Sequence, residues 1–143
     1  MRISTLLADK GSVVASIPGD ATVAHAVEEL GRHQVGALVV SEDGRTIDGI
    51  VSERDVVRAL GGRGVGIVDD PVSSIMSTTV TTCSPDDDTE SLMRIMTERR
   101  IRHVPVTDGG LLCGIVSIGD VVKDRIEELE KNRTELLEYI TAR

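Results

Sequence analysis

The chain has 143 residues, 24 of them acidic and 16 basic, for a formal charge of −8 at pH 7. That length holds one small domain or two half-size repeats, and 40% hydrophobic against 28% charged residues gives enough apolar surface to close a core. The acidic balance argues against a sequence-independent grip on nucleic acid, which needs clustered Lys and Arg, and with no Phe, no Trp and only Tyr139 there are no aromatic platforms on which to stack bases.

No window approaches the roughly 20 consecutive apolar residues of a membrane span. Met1-Arg2-Ile3-Ser4 runs into Asp9 and Lys10 without the apolar stretch of a secretory signal, so a cytoplasmic protein with no membrane partner is expected. Cys83 and Cys113 form neither a C-x-x-C pair nor a zinc-like cluster and read as reduced core thiols.

In chain order, residues 3–7 read as a short lead-in turn, 13–17 as a short β-rich run, and 22–33 as a helix with Val23, Ala26, Val27 and Leu30 on one face. His25 and His33 fall on that helix without partners at metal spacing. Apolar runs then flank the turn residues Glu42-Asp43-Gly44-Arg45, as in a hairpin, and residues 55–60 are helical again. The glycine-rich stretch 61–66 lacks the Lys-Ser/Thr of a P-loop and reads as a flexible linker. Beyond it, 70–76 predicts a short helix with Asp70 as N-cap and Pro71 at its first position. Residues 80–83 predict a strand. Asp86-Asp87-Asp88 lacks the calcium loop of an EF-hand and marks the start of a helix over 89–99, which two strands at 104–106 and 111–116 follow. From Ile118 a helix continues, with Val122, Ile126, Leu129, Leu136, Leu137 and Ile140 on one stripe; periodicity leaves open whether the stripe docks on its own module or on a second copy.

The order of elements repeats because the sequence does. Gly49-Ile50-Val51-Ser52-Glu53-Arg54-Asp55-Val56-Val57-Arg58 matches Gly114-Ile115-Val116-Ser117-Ile118-Gly119-Asp120-Val121-Val122-Lys123. The fold class is therefore α+β: two β-α-β-β-α repeats packed about a pseudo-two-fold axis, with a long C-terminal helix. Repeat 1 with its lead-in and linker spans 1–66, repeat 2 spans 67–126, and a helical extension spans 127–143. Neither repeat of ~60 residues buries enough surface to stand alone.

Each matched block runs a strand into a helix with Ser at the N-cap and Asp three residues on, which is a capping-box pattern. The same carboxylate at a strand end also suits paired hydroxyls, as does the acidic residue that holds a ribose in dinucleotide folds. Both readings stand for Ser52 with Asp55 and for Ser117 with Asp120. No nucleophile with a base in reach, and no metal site, is visible in the motifs, so no catalysis is expected.

Tandem β-α-β-β-α repeats, each carrying Gly-Ile-Val-Ser-x-x-Asp, with Arg102-His103-Val104-Pro105-Val106 before the second hairpin, resemble a pair of cystathionine-β-synthase (CBS) domains, a Bateman module, of the small stand-alone bacterial kind. The resemblance implies a regulatory module with two clefts for adenosyl ligands: AMP, ADP, ATP, NAD(H) or S-adenosylmethionine. Carried over by position, Asp55 and Asp120 would bind ribose hydroxyls, assisted by Ser52 and Ser117. The adenine would lie near Val14, Ile17, Val35, Val80, Cys83 and Ile101. Arg102 and His103 would reach across to phosphates of the ligand held by Asp55, since their counterparts Gly36 and Ala37 offer no charge to the ligand at Asp120. Arg54 reads as a phosphate contact or a surface residue, and Arg99 and Arg100 as a solvated face. The resemblance further implies a homodimer acting on a regulated protein it does not identify. A structural dimerisation module without a ligand is the alternative.

Overall fold

A computed structural model describes residues 1–142. Its elements are α1 (Ile3–Lys10), β1 (Ser16–Ile17), α2 (Val23–His33), β2 (Ala37–Val40), β3 (Gly49–Ser52), α3 (Glu53–Arg63), 3₁₀ turns at Val65–Asp69 and Val72–Ser74, α4 (Thr89–Arg99), β4 (His103–Asp108), β5 (Leu111–Ser117) and α5 (Ile118–Thr141).

Local chemistry sets the helix ends. The Thr22 hydroxyl accepts from the His25 amide at 3.1 Å to start α2, and the Asp88 carboxylate accepts from the Ser91 amide at 2.7 Å to start α4. Each cap contributes about 1 kcal/mol. Both helices end on a non-glycine residue in the left-handed region, Gln34 at φ 53° and Arg100 at φ 55°. Their apolar stripes are buried through Val23, Ala26 and Leu30 in α2 and through Leu92 and Met96 in α4. His25 and His33 lie on the surface of α2, close to Glu28 and Glu29.

In repeat 1, β1 pairs parallel with β2 and β2 antiparallel with β3, with Leu38 opposite Val51. In repeat 2, β4 and β5 form an antiparallel hairpin with Val104 opposite Val116 and a bulge between Val106 and Thr107. Matching backbone bonds express the internal symmetry. The Glu53 amide donates to Gly36 O at 3.0 Å and the Ile118 amide to Arg102 O at 2.8 Å, so each hairpin hands its chain to the following helix in the same way.

The lead-ins cross over. Ile3, Leu6 and Leu7 of α1 are buried with Leu92, Met96, Val104 and Val116 in the core of repeat 2, whereas Val72 is buried with Ile17, Leu30, Leu38 and Val51 in the core of repeat 1. The backbone follows the exchange, with the Ile3 amide donating to Asp87 O at 2.8 Å and the Val72 amide to Ala21 O at 2.7 Å. Each lead-in therefore closes the core of the opposite repeat, tying the two repeats together at both ends.

Several expectations are corrected. The strand over 13–17 shortens to Ser16–Ile17, because Val13 is 94% exposed and takes no place in the sheet. Residues 80–83 form no strand, and their backbone joins the hairpin through an isolated Cys83–Val106 bridge. The stretch 61–66 is not a flexible linker. α3 continues through Gly61 and Gly62 to Arg63, stops at Gly64 with φ 82°, and a 3₁₀ turn that buries Ile67 follows directly. Asp70 is not a side-chain N-cap; its carbonyl accepts from the Val23 amide, and Pro71 is extended ahead of the turn at Val72–Ser74. In α5 only Val121 and Asp124 are buried, while Val122, Ile126, Leu129, Leu136, Leu137 and Ile140 are 44–60% exposed, so the apolar stripe does not dock on its own module.

Candidate ligand cleft

β3 ends at Ser52, and the turn into α3 places three side chains of the first helical turn beside the strand end. The Ser52 hydroxyl accepts from the Asp55 amide at 3.3 Å, while Asp55 Oδ2 accepts from the Ser52 amide at 2.8 Å and the Ser52 hydroxyl at 3.1 Å. The capping box is thus complete on one carboxylate oxygen, and Oδ1 takes no part in it. Capping and ligand anchoring are compatible roles for the same side chain.

This strand end forms one wall of a cleft of about 290 Å³. The facing wall comes from repeat 2 and the segment leading into it: Ser77, Thr79, Val80 and Thr81, beside Ile101, Arg102 and His103. Ile50 and Ser77 join the walls through two reciprocal backbone bonds of 2.9 Å. Gly36 and Ala37 also line this cleft, and a Cβ on Gly36 would stand 3.0 Å from His103 Cε1 and 3.1 Å from Glu53 Oε1. A side chain at position 36 would press on both the imidazole and the Glu53 carboxylate.

Four arginines, Arg54, Arg58, Arg100 and Arg102, line the cleft together with two acidic residues, Glu53 and Asp55. In a chain of charge −8 this is a local cationic site. Burial lowers the pKa of His103 below its ordinary value, reinforced by the nearby Lys10 and Arg102 charges and opposed by Glu53 and Asp120. At neutral pH the imidazole is therefore uncharged, and the fixed positive charge of the cleft is that of the arginines.

Of the residues singled out from sequence, Ser52, Arg54, Asp55, Val80, Ile101, Arg102 and His103 come together here. Ile17 and Cys83 do not; each is buried in the core of its own repeat, and burial pushes the Cys83 thiol up to about 12. Val14 and Val35 do not line this cleft either. Ser117 and Asp120 form the second capping box, in which Asp120 also pairs with Lys10. Arg100 is a correction. It lines the cleft, whereas Arg99 does not and instead donates to the hydroxyl of the cleft residue Thr81 at 3.0 Å. Arg58 was legible in principle, since it stands four residues after Arg54 and so on the same helix face.

Two structural repeats that exchange lead-ins and close a shared cleft make a tandem module. A CBS domain family model matches residues 11–62 and again residues 72–127. The chain belongs to the CBS domain family, as a tandem pair. It is 37% identical over 125 residues to the mitochondrial CBS domain-containing protein CBSX3 of Arabidopsis thaliana, covering 85% of this chain and 61% of that one. The chain thus spans about three fifths of the length of that curated relative. The CBS-domain containing protein ATU1752 from Agrobacterium tumefaciens superposes with a TM-score of 0.84 at 42% identity, over 87% of this chain and 99% of that one. The CBS domain protein PAE2072 from Pyrobaculum aerophilum, solved in complex with AMP, superposes with a TM-score of 0.75 at 32% identity, over 84% and 89% of the respective chains.

Proposed function

We propose that the Asp55 cleft binds an adenine nucleotide of the AMP class and that the chain is a non-catalytic regulatory module of the cytoplasm, signalling occupancy to a partner protein. The observation that carries this reading is the composition of one cleft: a strand-end carboxylate, the aliphatic side chains of Ile50, Val80 and Ile101, and four arginines. Asp55 Oδ1 accepts the ribose hydroxyls with Ser52 alongside, the adenine lies against Val80 and Ile101, and the arginines take the phosphate through charge-assisted bonds. The four arginines favour a nucleotide over S-adenosylmethionine, whose sulfonium carries positive charge. A cleft of about 290 Å³ suits a mononucleotide better than a dinucleotide of twice the bulk. The AMP bound by PAE2072 is a precedent.

Signalling follows from linkage. The ligand touches Asp55 on one repeat and Arg102 on the other, so it binds the closed arrangement of the repeats better and shifts the population toward it. The apolar stripe of α5, unpartnered among the described residues, is the surface for a second copy, as the homodimer implied by the resemblance suggests; sedimentation as a monomer would contradict that part. The binding claim is tested by thermal melting with AMP, ATP, NADH and S-adenosylmethionine. AMP at a hundredfold excess over Kd raises stability by about 2.7 kcal/mol, and flat curves with all four ligands would support a purely structural module.

A further inference from the structure

The two repeats carry the same capping box, yet the second carboxylate is already in use. Asp120 Oδ2 accepts from the Ser117 amide at 2.9 Å and from Lys10 Nζ at 2.5 Å, and the same ammonium donates to Ile115 O at 2.7 Å. The two side chains are 33% and 25% exposed, so the pair is partly withdrawn from solvent. Burial raises the pKa of Asp120, but the bonds from Lys10 and Ser117 outweigh it and the carboxyl is held below its ordinary value.

Lys10 has no counterpart in the other repeat. Leu7 and Met76 occupy equivalent places, each being the side chain that a Cβ on Gly114 or Gly49 would strike. Ile17 and Cys83 are equivalent too, their carbonyls accepting from the Ser41 and Thr107 amides at 2.9 Å in both cases. The step from Leu7 to Ile17 is ten positions and that from Met76 to Cys83 is seven, so the first lead-in is three residues longer. Those extra residues carry α1 almost one further turn, to Lys10, before Gly11 at φ 101° breaks it. In the first cleft the strand residue Ile50 is paired by the backbone of Ser77; in the second, the carbonyl of the matching Ile115 is met by the Lys10 ammonium.

We infer that Lys10 is a tethered cation occupying the hydroxyl-binding position of the second cleft, so that the chain takes one adenosyl ligand, at Asp55. The inference rests on the reading of these aspartates as ribose anchors. A ligand approaching Asp120 must replace a charge-assisted bond to an ammonium with bonds to neutral hydroxyls, which are roughly half as strong. Its competitor is attached to the same chain and acts at an effective concentration on the order of millimolar. Lys10 therefore sets both the stoichiometry and the inequality of the two clefts.

Calorimetric titration with AMP tests this on the wild-type chain, on Lys10→Met and on Lys10→Gln, with Lys10→Arg as the variant that keeps the cation. The wild type and Lys10→Arg bind one AMP per chain. Lys10→Met and Lys10→Gln bind two, with the first Kd unchanged within about twofold, and adding Asp120→Ala returns them to one. Two sites in the wild type, or one site in both neutral variants, overturns the inference and leaves the Asp55 cleft as proposed. A tenfold or greater loss of affinity in Lys10→Met also overturns it, because Lys10 would then be a ligand contact. No binding by any variant instead removes the nucleotide reading itself.

Discussion

Replacing Asp55 by Ala separates the two roles its carboxylate combines. Oδ2 accepts from the Ser52 amide and hydroxyl, and both bonds are lost, although the Ser52 hydroxyl still accepts from the amide of position 55. Half of a capping box is worth about 1 kcal/mol or less, which for a chain of this size lowers Tm by about 3–5 °C. The protein stays folded, since none of the buried apolar contacts around Val51 and Val56 changes. The ligand loses a charged acceptor, a deficit of ~1.5–3 kcal/mol, equivalent to a rise in Kd of roughly tenfold to 150-fold. Calorimetry with AMP, well below the lowered Tm, measures it directly. Asp120→Ala is the matched control: it removes the same kind of cap and also the Lys10 pair, yet leaves the AMP Kd unchanged within about twofold. An unaltered Kd in folded Asp55→Ala would show that Asp55 is a cap and nothing more.

Arg102→Ala weakens AMP binding tenfold or more, by the ~1.5–3 kcal/mol of a lost charge-assisted bond, and adenosine binding far less; equal losses for the two ligands would show that Arg102 does not meet the phosphate. His103 makes stability depend on pH. Its folded pKa lies below the ordinary 6.5, so its contribution is complete above the unfolded value and is lost as pH falls toward the depressed folded one. His103→Gln should flatten the fall in urea midpoint between about pH 7 and 5, and an unchanged slope would refute the assignment. Gly49→Ala places a Cβ 2.7 Å from Met76 Sδ and 2.8 Å from Ser77 O, a backbone atom of the cleft wall, whereas in Gly114→Ala the nearest atoms belong only to the Leu7 side chain. Gly49→Ala is therefore the more destabilising, by ~1–3 kcal/mol, as a comparison of chemical denaturation midpoints will show.

Much of this was legible because it is local. The repeated Gly-Ile-Val-Ser-x-x-Asp block contains its own strand, cap and helix start, and α4 begins and ends where Asp88 and Arg99 indicate. The approach of Arg102 and His103 to the strand end bearing Asp55 was legible from the duplication itself, since a pseudo-dyad brings one repeat to the other's cleft. What could not be read is what depends on packing partners. The spacing of Ile3, Leu6 and Leu7 shows an apolar turn without saying which core it enters, so the exchange of lead-ins was invisible. Ile17 and Cys83 were placed at the adenine by position, but alternation along an extended segment turns them inward, toward the cores. Arg100 looked like one of a solvated pair, and only its left-handed φ at the end of α4 parts it from Arg99. Lys10 carried no motif at all; its importance comes from three extra residues in the lead-in, counted against a structural equivalence.

The central claim is that both repeats build a single nucleotide site around Asp55. A crystal structure of the chain grown with AMP at saturating concentration tests it most directly. The expected result is AMP in the cleft, its ribose hydroxyls within hydrogen-bond distance of Asp55 Oδ1, its base between Val80 and Ile101, and its phosphate on Arg102 from the opposite repeat. AMP bound elsewhere, or an empty cleft at that concentration, would contradict it.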